Sequence, residues 1–174
     1  MCRPVASSDK TGSLAPLLLL ACALLCAACA PAGGQNPPPL KIVKESQHAN
    51  GLVVGLPEGF DARPNDDGLV VEPAGHANRE VRNPAVAYVS LGKDGEVPDV
   101  SPLQSKSVGG KEVRYRVTKS EGGSGGEVYT LEVYERVEGG HVRYTQATQS
   151  EMGEPDFALC WTLVGSTKYQ PKNN

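Results

Sequence analysis

This chain is short of several things, and each shortage removes a class of explanation. Of its five cysteines, Cys2, Cys22, Cys26 and Cys29 crowd the first 29 residues, and only Cys160 lies further on. A single cysteine in the body has no intramolecular mate, so that body is not a disulfide framework. Its setting, "FALCWTLV", is apolar and reads as a small buried hydrophobe rather than a reactive thiol. Aromatic residues are scarce at 5%, with one tryptophan, so a core must be built mainly from aliphatic side chains. Cations are outnumbered: 17 Lys and Arg face 20 Asp and Glu, without a basic cluster, which argues against a nucleic-acid partner. His48, His76 and His141 stand apart, none with a partner at metal-ligand spacing.

What is present begins with a leader. Arg3 and Lys10 precede "LAPLLLLACALLCAACA", apolar from Leu14 to Ala30. That core is short for a bilayer span and right for a signal peptide, expected over residues 1–28. Two cuts before a cysteine fit lipoprotein processing. "LLAC" leads to Cys22 with a bulky residue well placed but a short apolar core; "CAAC" leads to Cys29 with a longer core and small residues at the cut. The second is favoured, with lipid on Cys29 and a protein held at the bacterial outer membrane in the periplasm; a plain secretory signal is the bland alternative. Removal of residues 1–28 takes away Arg3, Lys10 and Asp9, moving the formal charge from −3 to −4. Residues 29–40, with "APAGGQNPPPL", form a proline- and glycine-rich tether without packable side chains.

The rest, residues 41–174, has the length of one domain, and period-two alternation dominates it. "GLVVGLP" sets Leu52, Val54 and Leu56 on one face; "GLVVEP" is a second strand. "AVAYVSL" is apolar on both faces and therefore expected at a central position. "EVRYRVTK" turns Val113, Tyr115 and Val117 inward, and "EVYTLEVYERV" does the same with Tyr129, Leu131 and Val133. "HVRYTQAT" pairs Val142 with Tyr144. Gly139-Gly140 between the last two strands predicts a two-residue turn that needs positive φ. The spacing thus predicts a three-strand meander whose first connection is Glu121–Glu127. Near the C-terminus Phe157, Trp161 and Val164 fall at i, i+4 and i+7, with Pro155 and Asp156 ahead of them, predicting a helix over Pro155–Thr167 that lays those three across the sheet. The expected class is α+β, an antiparallel β-sheet with a C-terminal helix packed on one face.

Chemistry is harder to find. "EGGSGG" resembles a phosphate cradle in composition alone: it opens a strand rather than a helix, no Gly-Lys-Ser/Thr follows, and glutamates flank it. "DARPNDDG" hints at a calcium loop, but Asp66 occupies the obligatory glycine position, so a solvated acidic turn is the better reading. The pairs Glu132 with Glu135 and Glu151 with Glu154 have the groups for acid–base work, yet nothing in the sequence marks them for burial. Serines lack a nucleophile-elbow context. No catalytic constellation, cofactor site or metal site is expected. His141, in a strand beside a turn, reads as an exposed hydrogen-bonding side chain.

Three stretches, "GLVVGLPEGF" (Gly51–Phe60), "EGGSGGEVYTLEVYERV" (Glu121–Val137) and "QSEMGEPDFALCW" (Gln149–Trp161), together resemble the periplasmic immunity lipoproteins of type VI secretion systems. That family neutralises a peptidoglycan-cleaving muramidase effector. The resemblance implies a non-enzymatic protein that occludes the effector's substrate groove with projecting loops, any calcium belonging to the effector. "HANREVRNP" and "GKDGEVPDVSPLQSKSVGGK" do not share in the likeness. A loop of Glu121, Gly122, Gly123, Ser124, Gly125, Gly126 and Glu127 suits such a role, because backbone without side chains is thin enough for a sugar-binding furrow. Two paired strands at its base reduce the entropy lost on binding. Glu151 and Glu154 join it as candidate partner contacts, or cap the helix instead. Two readings compete: an envelope lipoprotein that binds a ligand or assists assembly of an outer-membrane complex, and a cryptic hydrolase using Glu132 and Glu135.

Overall fold

The computed structural model describes residues 38–75, 86–93, 103–121, 126–150 and 154–171. Along them run β1 (Ile42–Gln47), β2 (Leu52–Pro57), β3 (Phe60–Pro64), β4 (Gly68–Pro73), β5 (Ala87–Lys93), β6 (Gln104–Val108), β7 (Lys111–Glu121), β8 (Glu127–Val137), β9 (Gly140–Ser150), helix α1 (Ala158–Ser166) and β10 (Lys168–Tyr169). The signal peptide, Cys22, Cys29 and most of the tether lie outside the described residues.

The fold is mostly antiparallel β-sheet with one C-terminal helix. Two sheets form, where one was expected. The larger has strand order β3-β4-β5-β9-β8-β7-β6 and the smaller β1-β2-β10. The predicted meander is its spine: β7 pairs with β8 from Val113 opposite Glu135 out to Glu121 opposite Glu127, and β8 with β9 from Val137 opposite Gly140 out to Glu127 opposite Ser150. The turn closing the second pair is shifted by one residue from the expected position. Glu138 and Gly139 form it, Gly139 taking φ 73°, while Gly140 already belongs to β9. Gly140 is small for another reason: a Cβ there would lie 2.2 Å from the carbonyl oxygen of Gly92 on β5.

One hydrophobic cluster joins the two sheets and the helix. Leu52, Val54 and Leu56 of β2, Leu69 and Val71 of β4, Leu131 and Val133 of β8, and Val142 and Tyr144 of β9 share it with Leu159, Cys160, Leu163 and Val164 of α1. The alternation read from β2, β8 and β9 therefore survives. Tertiary context changes the rest. Val117 was expected inside but is 46% exposed, because the core ends before it. β5 is an interior strand, third from one edge, yet Tyr88 is 47% exposed and only Ala87 and Val89 are buried. His141, expected outside, is 4% exposed: both faces of β9 are covered at that position. "DARPNDDG" is the end of β3 and a turn in which the Asn65 side-chain oxygen accepts from Gly68 N–H at 2.9 Å.

The helix begins three residues later than predicted. Phe157 is its N-cap without a side-chain bond, and the Asp156 carboxylate accepts instead from Ala158 N–H at 2.8 Å. Gln146 of β9 ties this first turn to the sheet, accepting from Cys160 N–H at 2.8 Å and donating to the Asp156 carbonyl at 3.1 Å. Leu159, Cys160, Leu163 and Val164 carry the apolar burial. Trp161 does not lie in the core as expected. It is half-buried, meeting Tyr115 edge-on at 5.2 Å between centroids with the Lys106 ammonium 4.2 Å from its ring centre. Burial pushes the Cys160 thiol well above its ordinary range, which leaves it protonated and inert.

Candidate functional site

The meander's register assembles the candidate residues at one end of the larger sheet. Glu121 lies opposite Glu127, and Glu127 opposite Ser150, so the last rung crosses β7, β8 and β9 in a row. Two rungs inward, on the same face, Lys119 faces Tyr129, and Tyr129 faces Thr148. Residues two apart on a strand share a face, so Lys119, Glu121, Glu127, Tyr129 and Ser150 look to the same side. That side is continuous with the core, since Val117, Leu131 and Gln146 form the next rung on this face and Leu131 and Gln146 are buried. The helix starts at the level of Gln146. The two outermost rungs therefore extend past it, and here the alternation that serves packing elsewhere presents a surface.

Side chains at this end hold one another. Lys119 forms an ion pair with Glu127, and the Tyr129 hydroxyl donates to Glu127 Oε2 at 2.5 Å. The Lys119 ammonium stands 5.8 Å from the Tyr129 ring centre. The hydrogen bond from Lys119, then that from Tyr129, holds the Glu127 carboxyl below the ordinary range; the same bond raises the Lys119 pKa. Lys119 and Glu127 are exposed and Tyr129 is partly buried at the edge of the core, so the ion pair orients side chains more than it stabilises the fold. Lys119 had not been singled out in the sequence, and Tyr129 only as an inward-facing residue of its strand, which its packing at the core's edge bears out. Their signal was available once the hairpin was drawn, because register places Lys119 beside Tyr129 and two residues from Glu127.

Gly122, Gly123, Ser124 and Gly125 lie outside the described residues, as does Glu151. Gly126 precedes β8, which Glu127 opens; Glu121 closes β7, and Glu154 is exposed just ahead of the helix. The structure thus brings Glu121 and Glu127 together at the base of the glycine loop, next to the end of β9 from which the chain leads to Glu154.

The other carboxylates of interest separate cleanly. Glu132 and Glu135, three apart on β8, lie on opposite faces and make no pair. Glu132 is buried between Arg116 and Arg143, ion-paired to both, with the Tyr134 hydroxyl at 3.3 Å. Burial alone would raise its pKa; the hydrogen bonds and charges of the two arginines outweigh that and hold it below the ordinary value. Glu135 accepts from the buried Tyr144 hydroxyl at 2.6 Å and from Lys111 at 3.0 Å, and Lys111 also reaches the Thr167 carbonyl at the helix end. Each carboxylate is thus engaged in holding strands together.

Comparison with known proteins identifies the family. Residues 53–168 match the family model described as the type six secretion immunity 3 domain. The immune protein Tsi3 of Pseudomonas aeruginosa (strain PAO1) is 36% identical over 127 residues, covering 73% of this chain and 83% of that protein. A crystal structure of a protein from Bacteroides thetaiotaomicron VPI-5482 shares the fold at a TM-score of 0.51 and 8% identity, over 70% of this chain. This chain spans 46% of that solved chain.

Proposed function

Since the chain belongs to the type six secretion immunity 3 family, we propose that it binds the substrate groove of a peptidoglycan-degrading muramidase effector and occludes it, sparing the producing cell. The end of the meander makes the contact: the loop from Glu121 to Glu127 enters the groove, and Glu154 and Glu151 meet its rim. Protection comes from obstruction, without turnover and without a cofactor of its own; calcium, where the complex needs it, is the effector's. The work is done in the periplasm, the body tethered by lipid on Cys29 to the outer membrane.

The observation that supports this reading best is the alignment of Glu121, Glu127 and Ser150 in one rung beyond the helix. A groove-filling element must project from a stiff mount, and three paired strands provide one while the Lys119–Glu127–Tyr129 contacts fix the side chains at its base. Backbone amides and carbonyls of a glycine loop then meet the donors and acceptors that a glycan would use.

The test is inhibition of the peptidoglycan hydrolase encoded beside this protein. Wild-type protein is expected to bind that enzyme and stop cell-wall lysis, and Ser124→Trp to do neither while melting at the wild-type temperature. Undiminished inhibition by Ser124→Trp would remove the loop from the contact. Failure of the wild type to bind any such hydrolase would end the reading itself.

A further inference from the structure

At the far end of β7 from Glu121 lies a feature outside the contact proposed above. An apolar groove of about 430 Å3 opens there, its walls including Leu40, Ile42, Val108, Trp161 and Gly165. Two glycines make room for it. A Cβ on Gly109 would approach Gly165 Cα to 3.0 Å, whereas a Cβ on Gly165 would meet nothing nearer than Val108 Cγ1 at 3.8 Å. The volume suits a small ligand rather than a lone water molecule.

Two further observations say what kind. The first is exposed apolar surface beside it: Ile42 and Val43 are 39% and 50% exposed, adjacent on β1, and Ile42 is itself a groove wall. The second is charge. The Lys106 ammonium stands 4.2 Å from the centre of the Trp161 ring, held there without a carboxylate among its described contacts, and the exposed Lys41 precedes Ile42. A hydrocarbon cleft with a tryptophan wall, a cation against that wall and a second cation in sequence beside its Ile42 wall has the layout of side chains that settle at a lipid–water boundary. Anionic headgroups attract such cations. The chain also enters the fold here, through Pro39 and Leu40.

We propose that this groove takes one acyl chain of an anionic phospholipid, with Lys106 and Lys41 at its headgroup, so that the body rests on a membrane with the Glu121–Glu127 end turned outward. This is contact by the folded surface, independent of lipid on Cys29. It gives the two ends separate tasks, one toward the bilayer and one toward the effector.

Trp161, the one tryptophan in the chain, reports on it directly. The full-length protein is mixed with vesicles of phosphatidylglycerol and phosphatidylcholine whose acyl chains carry bromine, and Trp161 emission is read alongside vesicle co-flotation. Emission is expected to be quenched, more strongly as the phosphatidylglycerol fraction rises. Gly165→Leu fills the groove and suits a helix better than glycine, so it is expected to keep the fold by circular dichroism and lose most of the quenching. Lys106→Glu is expected to erase the preference for phosphatidylglycerol. Co-flotation without quenching would overturn the proposal while leaving a lipid anchor in place. Quenching that persists in Gly165→Leu would overturn it as well, and so would loss of hydrolase inhibition in that variant with quenching intact, which would mark the groove as a protein contact.

Discussion

Glu127 and Glu132 sit five residues apart on one strand, and both are held ionised by cationic partners, yet they belong to different regions with different work. Glu132 lies mid-sheet between two arginines and is buried. Glu127 lies at the strand's beginning, where its partner Lys119 is exposed and Tyr129 is only partly buried at the edge of the core. An exposed ion pair contributes little to stability, whereas a buried carboxylate stripped of its partners is costly. The middle of β8 is therefore an element of the fold, and its end is a surface free to be shaped by a partner.

The comparison can be broken at several points. Leu163, fully buried where the helix meets the shared core, should show the largest effect: Leu163→Ala is expected to lower stability by about 3 kcal/mol in a denaturant titration. Glu132→Ala should follow at about 2 kcal/mol, below the usual cost of breaking a buried pair because both arginines keep water contact. Trp161→Ala should cost less than the loss of a fully buried aromatic, about 2 kcal/mol, since the ring is half-exposed. A loss of 4 kcal/mol or more there would contradict the placement of the helix. Glu127→Ala should leave the melting temperature unchanged while weakening inhibition of the hydrolase. If Glu127→Ala unfolded the protein and Glu132→Ala did not, the contrast between the regions would be reversed.

Acid gives a further handle. The Glu132 carboxyl titrates below its ordinary 4.5 in the folded protein, so its contribution to stability is complete above that value and is lost as pH falls through the lower folded one. Melting curves from neutral pH downward should stay level and then drop on the acid side. Glu132→Ala should soften that drop. High salt should screen the Glu127 pair while hardly touching Glu132.

Much of this division was legible in the residues, unevenly. β7, β8 and β9 declared themselves because alternation ran long and Gly139 marked a turn. Their pairing then put Glu121 and Glu127 at the base of one connection, with the end of "HVRYTQATQS" at the same end of the sheet, but the rung itself depended on the turn at Glu138 and Gly139, one residue before the expected one. β1, β3 and β6 were missed for a shared reason: "IVKESQ", "FDARP" and "QSKSV" are edge strands, mostly exposed and polar, and carry no periodic signal. His141 and Glu132 were misjudged because a strand sequence cannot reveal that both of its faces are covered. Helical spacing was right for Phe157 and Val164, and Cys160 is the buried hydrophobe expected, but it misplaced Trp161 and left out Leu159 and Leu163, which are buried on the same helix. The groove lined by Gly109 and Gly165 is built from residues 56 apart and had no signature in the chain.

The most direct test is hydrogen–deuterium exchange on the protein with and without its effector bound. Slowed exchange concentrated at Glu121–Glu127 and residues 150–154, with the Gly109–Gly165 end unchanged, is the predicted outcome. Exchange at Glu121–Glu127 as fast in the complex as in the free protein would contradict the account.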